Sequence, residues 1–281
     1  MAVLTLDYRC CDRKRPLYIK HIEVERIAAT ARQQLVADSS DAVSFDALRQ
    51  ISGLKINGID FALEVSTDYA VHDEQGNHVF GVCEFDPAMP DAAMVSISPV
   101  GESLSELLAL STLAHELGHA VFDAPGWVVQ GSKGPGLFDD IEPTMQRAYR
   151  TTTPDSDHLS KSLSAKPTTE EHFAELRANE FMGSLLVPRQ RIIAAVEELA
   201  PQHDITIHRH PSTDPDHPGT ALRIKANSDL GVLEMDRFEK ALATRFGVNP
   251  RFIQVRLTRY GLTTQEATVP CPGSTACGAD L

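Results

Sequence analysis

The chain has 281 residues, of which 42% are hydrophobic and 23% are charged, and its formal net charge is −13. These values are ordinary for a soluble protein of one or two domains, and no apolar run is long enough to cross a bilayer. The negative charge argues against direct nucleic-acid binding through phosphate neutralisation, and residues 1–7 lack the pattern of a signal peptide. We therefore expect a cytoplasmic protein whose substrate or partner is another protein.

The cysteines do not form the even framework of a secreted, disulfide-rich domain. We expect reduced thiols. A terminal zinc knot or a disulfide between the last pair is the less favoured alternative, because C-x-x-C spacing is absent. The five cysteines are Cys10, Cys11, Cys83, Cys271 and Cys277.

The first third of the chain is predicted to be a mixed α+β region. Runs with helical periodicity are followed by short runs rich in β-branched and aromatic residues. Residues 1–19, which carry a small basic cluster, are interpreted as an N-terminal extension. The predicted elements are helices at 20–36 and 44–51 and strands at 61–65, 69–72, 78–85 and 94–98.

A long helix is predicted at 104–122, with Ser103 and Glu106 as its capping box, and it contains the sequence H-E-L-G-H. Residues four apart share one helix face, so His115 and His119 can direct imidazole nitrogens at one metal ion. Glu116 neighbours that position and can take a proton from a water molecule that the metal activates. The pattern predicts zinc-dependent hydrolysis of an amide; the alternative is two ordinary histidines that happen to fall four apart.

A third metal ligand is needed. The third histidine of metzincins is excluded, because Phe122 and Pro125 occupy the positions of their glycine and histidine. A second helix is predicted at 168–188, where Thr168 and Glu171 form a capping box.

The second helix carries a candidate for that ligand. Glu175 and Asn179, four residues apart, lie on one face of it. A carboxylate from Glu175 would complete a His2Glu site with an open fourth position, and Asn179 could orient a ligand from behind.

The pairing of L-A-H-E-L-G-H-A at 113–120 with E-L-R-A-N-E-F-M-G-S-L-L-V-P at 175–188 resembles the ImmA/IrrE family of metallo-endopeptidases. In that family the second motif is E-x-x-A-N-x-F-A-x-x-L-L-x-P, and Met182-Gly183 departs from it. The resemblance spans roughly residues 20–264. It implies that His115, His119 and Glu175 bind zinc, with manganese as an alternative, and that Glu116 is the general base.

The resemblance also implies a fold and a substrate class. The fold is an α+β, zincin-like metallopeptidase with a small antiparallel or mixed sheet, followed by a C-terminal helix-turn-helix-like unit. The implied substrate is a transcriptional repressor of the helix-turn-helix type, cleaved to release stress-response or mobile-element genes. Zincins place a substrate-binding sheet edge just before the metal helix, so the strand at 94–98 is either this edge or an ordinary core strand.

The segment between the two motifs, residues 123–167, is too long for an ordinary connector. We favour a loop that covers the cleft, with short helical pieces around 141–149, over a disordered insert. The oxyanion of amide hydrolysis also needs a donor besides the metal. His172, one turn before Glu175, is the preferred candidate over Tyr149 and His158 of the insert; the alternative is that His172 is an ordinary histidine in an exposed first turn.

The C-terminal third is predicted to contain a helix at 188–200, a loop rich in histidine and proline, and two helices at 235–246 and 250–260. The loop histidines are expected to be solvated and not to form a second metal site. They are His203, His208, His210 and His217.

The last two helices have two interpretations. Arg251, Gln254, Arg256 and Arg259 could contact DNA. We favour packing against the catalytic domain, through an apolar face formed by Phe238, Leu242, Phe246, Phe252, Val255 and Leu257.

The sequence thus predicts a zinc endopeptidase, with a catalytically silent regulatory module that binds a protein partner as the alternative and a DNA-binding protein as a third possibility. The predicted domains are an N-terminal extension at 1–19, a metallopeptidase domain at 20–200, a linker at 201–228, a helix-turn-helix-like unit at 229–264 and a tail at 265–281.

Overall fold

A computed structural model describes residues 2–37, 39–73, 76–101, 104–132, 145–150, 170–227 and 231–263. In these ranges the protein is α+β, with eight α-helices and a six-stranded mixed sheet. The helices are α1 His21–Leu35, α2 Phe45–Arg49, α3 Glu106–Phe122, α4 Ala124–Gly131, α5 Glu170–Leu186, α6 Arg189–Leu199, α7 Gly231–Phe246 and α8 Pro250–Arg259. None of them has the length and hydrophobicity that a membrane span requires.

The strands are β1 Ala2–Leu6, β2 Ile51–Ile56, β3 Ile59–Ser66, β4 Val71–His72, β5 His78–Val79, β6 Gly81–Phe85, β7 Ala92–Ile97, β8 Gln146–Arg150, β9 Ile205–Pro211 and β10 Thr220–Ala226. The main sheet has the order β1-β2-β3-β7-β6-β8. β1 is parallel to β2 and β3 is parallel to β7, whereas the other neighbours are antiparallel. The helices predicted near 20–36, 44–51, 104–122, 168–188, 188–200, 235–246 and 250–260 are all confirmed.

The interpretation of residues 1–19 as an extension is wrong for its first part. Ala2–Leu6 forms an edge strand of the main sheet, and Leu4 and Leu6 are buried in the core. The Tyr8 hydroxyl donates a hydrogen bond of 2.8 Å to the carbonyl of Val121, near the end of α3. The apolar and β-branched residues from 2 to 6 are the local signal for this strand.

The strand predicted at 94–98 is not an edge of the sheet. β7 lies between β3 and β6 and is hydrogen-bonded on both sides. Ala93 and Val95 are fully buried, so the core-strand interpretation is the correct one. Among the described strands, the edges of this sheet are β1 and β8.

The helix that carries H-E-L-G-H is almost entirely enclosed between the sheet and α5. Its N-cap is Ser105, whose hydroxyl accepts a hydrogen bond from the amide of Leu108, so the predicted capping box with Ser103 is wrong. Gly81 of β6 allows this close packing on the sheet, because a Cβ atom there would lie 2.7 Å from Thr112 Cγ2. The absence of a side chain at Gly81 therefore helps to set the depth of the metal-site helix.

The segment at 123–167 begins with a helix and contains a strand. α4 follows α3 directly, and β8 pairs antiparallel with β6. The prediction of helical pieces around 141–149 is wrong at 146–149, because these residues extend the sheet. The remainder of the segment, 133–144 and 151–167, lies outside the described residues, so its covering of the cleft stays a prediction.

The predicted linker at 201–228 is largely a β-hairpin. After a 3-10 turn at Ala200–His203, β9 and β10 pair antiparallel from Ile205↔Ala226 to Pro211↔Thr220. Its apolar side chains, including Ile205, face the core, while the outer side is polar. The polar composition hides the strand pattern from sequence reasoning, because only one face of the hairpin is buried. His208 and His210 lie on β9, and the ring of His203 packs against that of Phe238.

The two C-terminal helices pack on the rest of the protein, as favoured from the sequence. Phe238, Leu242, Phe246 and Leu257 are fully buried. Cys10, Cys11 and Cys83 carry free thiols, as expected, whereas Cys271 and Cys277 lie outside the described residues.

Candidate metal centre

Two helices bring together the three side chains predicted to bind a metal. His119 Nε2 lies 3.2 Å from His115 Nε2 and 3.1 Å from Glu175 Oε1. The third separation, from His115 Nε2 to Glu175 Oε2, is 3.4 Å. In the described part of the chain, these three residues form the group whose ligand atoms are close enough to share one metal ion.

These separations fit a zinc ion. Ligand atoms placed about 2.0–2.1 Å from a tetrahedral zinc lie about 3.3 Å from one another. The three measured distances are within a few tenths of an ångström of that value. Two imidazoles and one carboxylate are also the donor set of catalytic zinc sites that keep the fourth position open.

A close approach of the two helices positions Glu175. A Cβ atom at Gly118 would lie 2.8 Å from the Cα atom of Ala178 and 3.2 Å from its carbonyl oxygen. α5 therefore touches the backbone of α3 between the two histidines. Glu175 precedes Ala178 by about one helical turn, so its carboxylate projects back over the histidine pair.

The carboxylate of Asp123 holds His119 from behind. Asp123 Oδ2 lies 2.8 Å from His119 Nδ1 and accepts a hydrogen bond from Nδ1–H. This hydrogen bond leaves Nε2 as the nitrogen that could bind a metal. Arg177 Nη2 donates to the other oxygen of Asp123 at 3.0 Å and thereby links the end of α3 to α5. Sequence reasoning missed this contact, although Asp123 follows His119 by four residues and so lies on the same helix face.

The charges of the site favour a bound cation. Burial lowers the pKa of His119, but hydrogen bonds and charges from Asp123 and Glu175 outweigh it and raise that pKa to about 10. Burial opposes ionisation of Glu175, yet the two histidines hold its pKa well below the usual range. A carboxylate facing two imidazole nitrogens needs either a proton or a metal cation between them, so protons compete with the metal.

Glu116 lies beside the ligands and is fully buried. Its Cγ atom would be 3.1 Å from a Cβ atom at Gly81, which places the side chain between α3 and β6. Burial, and next the charge of Glu116, raises the pKa of the Cys83 thiol on the same strand. Glu116 thus occupies an enclosed position between the metal-site helix and the sheet.

Access to the centre is asymmetric. The side chains of His115 and His119 are 2% and 1% exposed, whereas that of Glu175 is 43% exposed. Among the described residues, the group is therefore most exposed on the side of α5.

The remaining predicted site residues are not part of this group. His172 and Asn179 lie on α5 and are half-buried, outside the set of three possible ligands. The side chain that bonds His119 from behind is Asp123, so a supporting role of Asn179 stays a prediction. Tyr149 lies on β8, and His158 lies outside the described residues.

The chain was also compared with known proteins. No protein-family model matches it, and the search of curated proteins gives no match either.

Proposed function

We propose that this protein is a zinc-dependent endopeptidase with His115, His119 and Glu175 as metal ligands. The observation that carries the proposal is the set of three side chains whose potential ligand atoms lie 3.1–3.4 Å from one another, with the carboxylate of Glu116 next in sequence to His115. Zinc is the proposed metal, and manganese is the alternative.

The residues of the centre divide the work of peptide hydrolysis. Zinc held by His115, His119 and Glu175 would act as a Lewis acid that polarises the peptide carbonyl and lowers the pKa of water. Glu116 takes a proton from the attacking water and then delivers it to the leaving amine. Asp123 keeps His119 in one tautomer and orientation. His172 is the proposed donor to the oxyanion.

The substrate is proposed to be a protein that binds in an extended conformation. β8 is an edge of the main sheet among the described strands, and its only described neighbour, β6, lies against the metal-site helix. A substrate strand could add to that edge through main-chain hydrogen bonds. From the motif resemblance, we propose a helix-turn-helix transcriptional repressor as the substrate and the cytoplasm as the location.

The DNA-binding alternative is disfavoured by the contacts of its key residues. Arg256 is 4% exposed, and its Nη2 lies 2.9 Å from Glu180 Oε1. Arg259 Nε lies 2.9 Å from the other oxygen of Glu180. These two arginines are bound to a carboxylate of α5, so they are not available to contact DNA bases.

The first test is the metal content of protein purified without added metal. We expect about one zinc per chain in the wild type and a sharp loss in Glu175→Ala. Glu234→Ala, a carboxylate on α7, is the control and should keep its zinc. No metal in the wild type, even after zinc is offered, would overturn the proposal.

The second test separates the peptidase from a silent binding module. Wild type and Glu116→Gln, both loaded with zinc, are incubated with a peptide library made from a digested proteome, and new termini are identified by mass spectrometry. New termini with the wild type alone support the endopeptidase. Equal zinc content in both proteins, with no new termini from either, supports the module.

A further inference from the structure

A cleft of about 420 Å³ lies between α1 and the junction of α5 with α6. Arg26 and Arg32 line it from α1, and Arg189 and Arg191 line it from the first turn of α6. One carboxylate, that of Glu25, also lines it. The local excess of positive charge is opposite in sign to the net charge of −13 of the whole chain.

Among the described residues, a carboxylate pairs with one of these four arginines: Asp41 Oδ1 lies 3.2 Å from Arg191 Nη1. Glu25 is already bonded to His217, whose Nε2 lies 3.1 Å from its Oε2. Within the described ranges, neither Arg26 nor Arg189 forms an ion pair. The guanidinium of Arg189 lies instead over the ring of Tyr260, 5.4 Å from its centroid.

Arg32 is the most informative of the four arginines because it is only 5% exposed. Its Nη atoms donate to main-chain carbonyls, and its buried Nε has no hydrogen-bond partner among the described residues. Burial, followed by the charge of Arg191, lowers the pKa of Arg32 to about 10, against the opposing effect of Asp41. The carbonyls belong to Leu185, Ser40 and Asp41, at 2.8, 2.9 and 2.7 Å.

A buried guanidinium held by carbonyls alone is costly, because its charge has no bonded counterion. The Asp41 carboxylate accepts from Arg191 at 3.2 Å and does not bond the side chain of Arg32. An anion in the cleft would supply the missing counterion.

The backbone of α6 adds to the same effect. This helix has 11 residues, its N-cap Pro188 provides no side-chain cap, and its first turn has no acidic residue. The amides of its first three residues, Arg189, Gln190 and Arg191, have no acceptor within the helix, and all three residues line the cleft. The positive end of this helix dipole, with Arg189 and Arg191 beside it, favours a bound anion.

We propose that this cleft binds a small molecule through a phosphate group. Guanidinium forks and free amides at a helix N-terminus offer more donors than the two oxygens of one carboxylate can use, whereas a phosphate has enough acceptors. The volume is in the usual range for small-molecule sites. A long polyanion such as nucleic acid is disfavoured by the strongly acidic remainder of the chain.

The test is titration calorimetry of the full-length protein with inorganic pyrophosphate, at constant ionic strength. We expect saturable binding to the wild type, and binding weakened by about tenfold or more in the double variant Arg26→Gln/Arg189→Gln. These two arginines are chosen because they form no ion pair with any described residue, so we expect the double variant to fold. Circular dichroism checks the fold of each variant.

Arg237→Gln is the matched control, because it removes one positive charge from an exposed arginine of α7 outside the cleft. Its affinity should stay within about twofold of the wild type. Equal weakening in Arg237→Gln and the double variant would overturn the proposal. The absence of saturable binding at about 10 mM pyrophosphate would also overturn the proposal. Tighter binding of citrate than of pyrophosphate would overturn it too, because that result would indicate a carboxylate site.

Discussion

At the scale of single residues, the contact between Asp123 and His119 decides which imidazole nitrogen can bind a metal. A carboxylate that accepts Nδ1–H fixes the tautomer and the ring orientation. No further helix or strand is needed to position this carboxylate, because Asp123 is the residue that ends α3. The two histidines and Glu116 could be predicted from a five-residue motif. Asp123 could also be found from its spacing, but it looked like the first residue of an insert.

We predict that Asp123→Asn weakens zinc binding by about 10–100-fold, the range typical for partners behind a metal ligand. The amide oxygen can still accept from Nδ1, but its negative charge is lost. Affinity is measured by competition with a chelator of known zinc affinity. Asp214→Asn is the control, since Asp214 bonds a histidine outside the candidate metal group, His217, at 3.0 Å. Equal zinc affinities for the wild type and Asp123→Asn would show that Asp123 does not support the metal.

At the scale of elements, the metal centre depends on how closely α3 and α5 approach. The point of closest approach, Gly118 against Ala178, lies between the residues that would bind the metal. A second link, from Asp123 to Arg177, fixes the same pair of helices near the end of α3. The position of Glu175 relative to the two histidines is therefore set by the packing of these two helices.

We predict that Gly118→Ala lowers zinc affinity although alanine favours helices by about 1 kcal/mol over glycine. The added methyl group would meet backbone atoms of α5, so the two helices must separate and Glu175 moves from the histidines. The same chelator competition measures the loss. Gly126→Ala in α4 is the control, because the nearest contact of its methyl group is a flexible arginine side chain, Arg15, at 3.1 Å. Unchanged affinity in Gly118→Ala would mean that the helix contact does not set the site.

We predict a second element-scale effect, on acid stability, from the ion pairs between α5 and α8. Burial raises the pKa of Glu180, but Arg256 and Arg259 outweigh it and lower that pKa from 4.5 to about 2. A carboxylate whose pKa is lower in the folded than in the unfolded protein stabilises the fold at pH values above its unfolded-state pKa. This stabilisation is lost as the pH falls through its folded-state pKa. The free energy of unfolding should therefore fall by on the order of 3 kcal/mol between pH 4.5 and pH 2.

Urea unfolding at pH 2, 3, 4.5 and 7 measures this change. Glu180→Gln should be less stable at pH 7, because it leaves Arg256 buried without a carboxylate, and its stability should depend less on pH in the acid range. Asp236→Asn, which breaks an exposed pair with Lys240, is the control and should change little. The same acid dependence in Glu180→Gln and the wild type would contradict the role of Glu180.

Strongly periodic elements could be predicted from the sequence, whereas weakly patterned strands could not. The apolar faces of α1, α3, α5 and α7 follow the helical period, which can be read from the local sequence. β2 was missed, although Asn57-Gly58 with positive φ angles forms the hairpin turn that such a pair predicts. The pairing of β8 with β6 and the parallel pairing of β1 with β2 join segments far apart in sequence, so local pattern carries no information on them.

At the scale of the whole molecule, a bound metal would join parts of the protein that are distant along the chain. His115 and Glu175 are 60 positions apart in the numbering, and the segment between them includes β8 of the main sheet. A ligand that binds only the folded state stabilises that state in proportion to the logarithm of its concentration over Kd. Metal loss should therefore be visible in global unfolding.

We predict that removal of metal with EDTA lowers the melting temperature of the wild type by roughly 5–10 °C, which corresponds to zinc at about 100 times its Kd or more. Differential scanning calorimetry of the protein with excess zinc and with EDTA measures the shift. Glu175→Ala should melt at nearly the same temperature in both conditions. A wild type that melts equally with and without metal would show that no metal binds the folded state tightly.

The ion pairs between α5 and α8 have a consequence for dissection of the chain. Glu180 lies on the same helix as Glu175, and its counterions, Arg256 and Arg259, come from the last described helix. A fragment that stops before α7 would retain every candidate zinc ligand. It would lose the two arginines that pair with Glu180, which lies 5 positions from Glu175 on α5. Such a fragment would contain the candidate ligands but would lack the ion pairs that hold α5 against α8. The C-terminal helix pair is therefore part of the proposed catalytic unit.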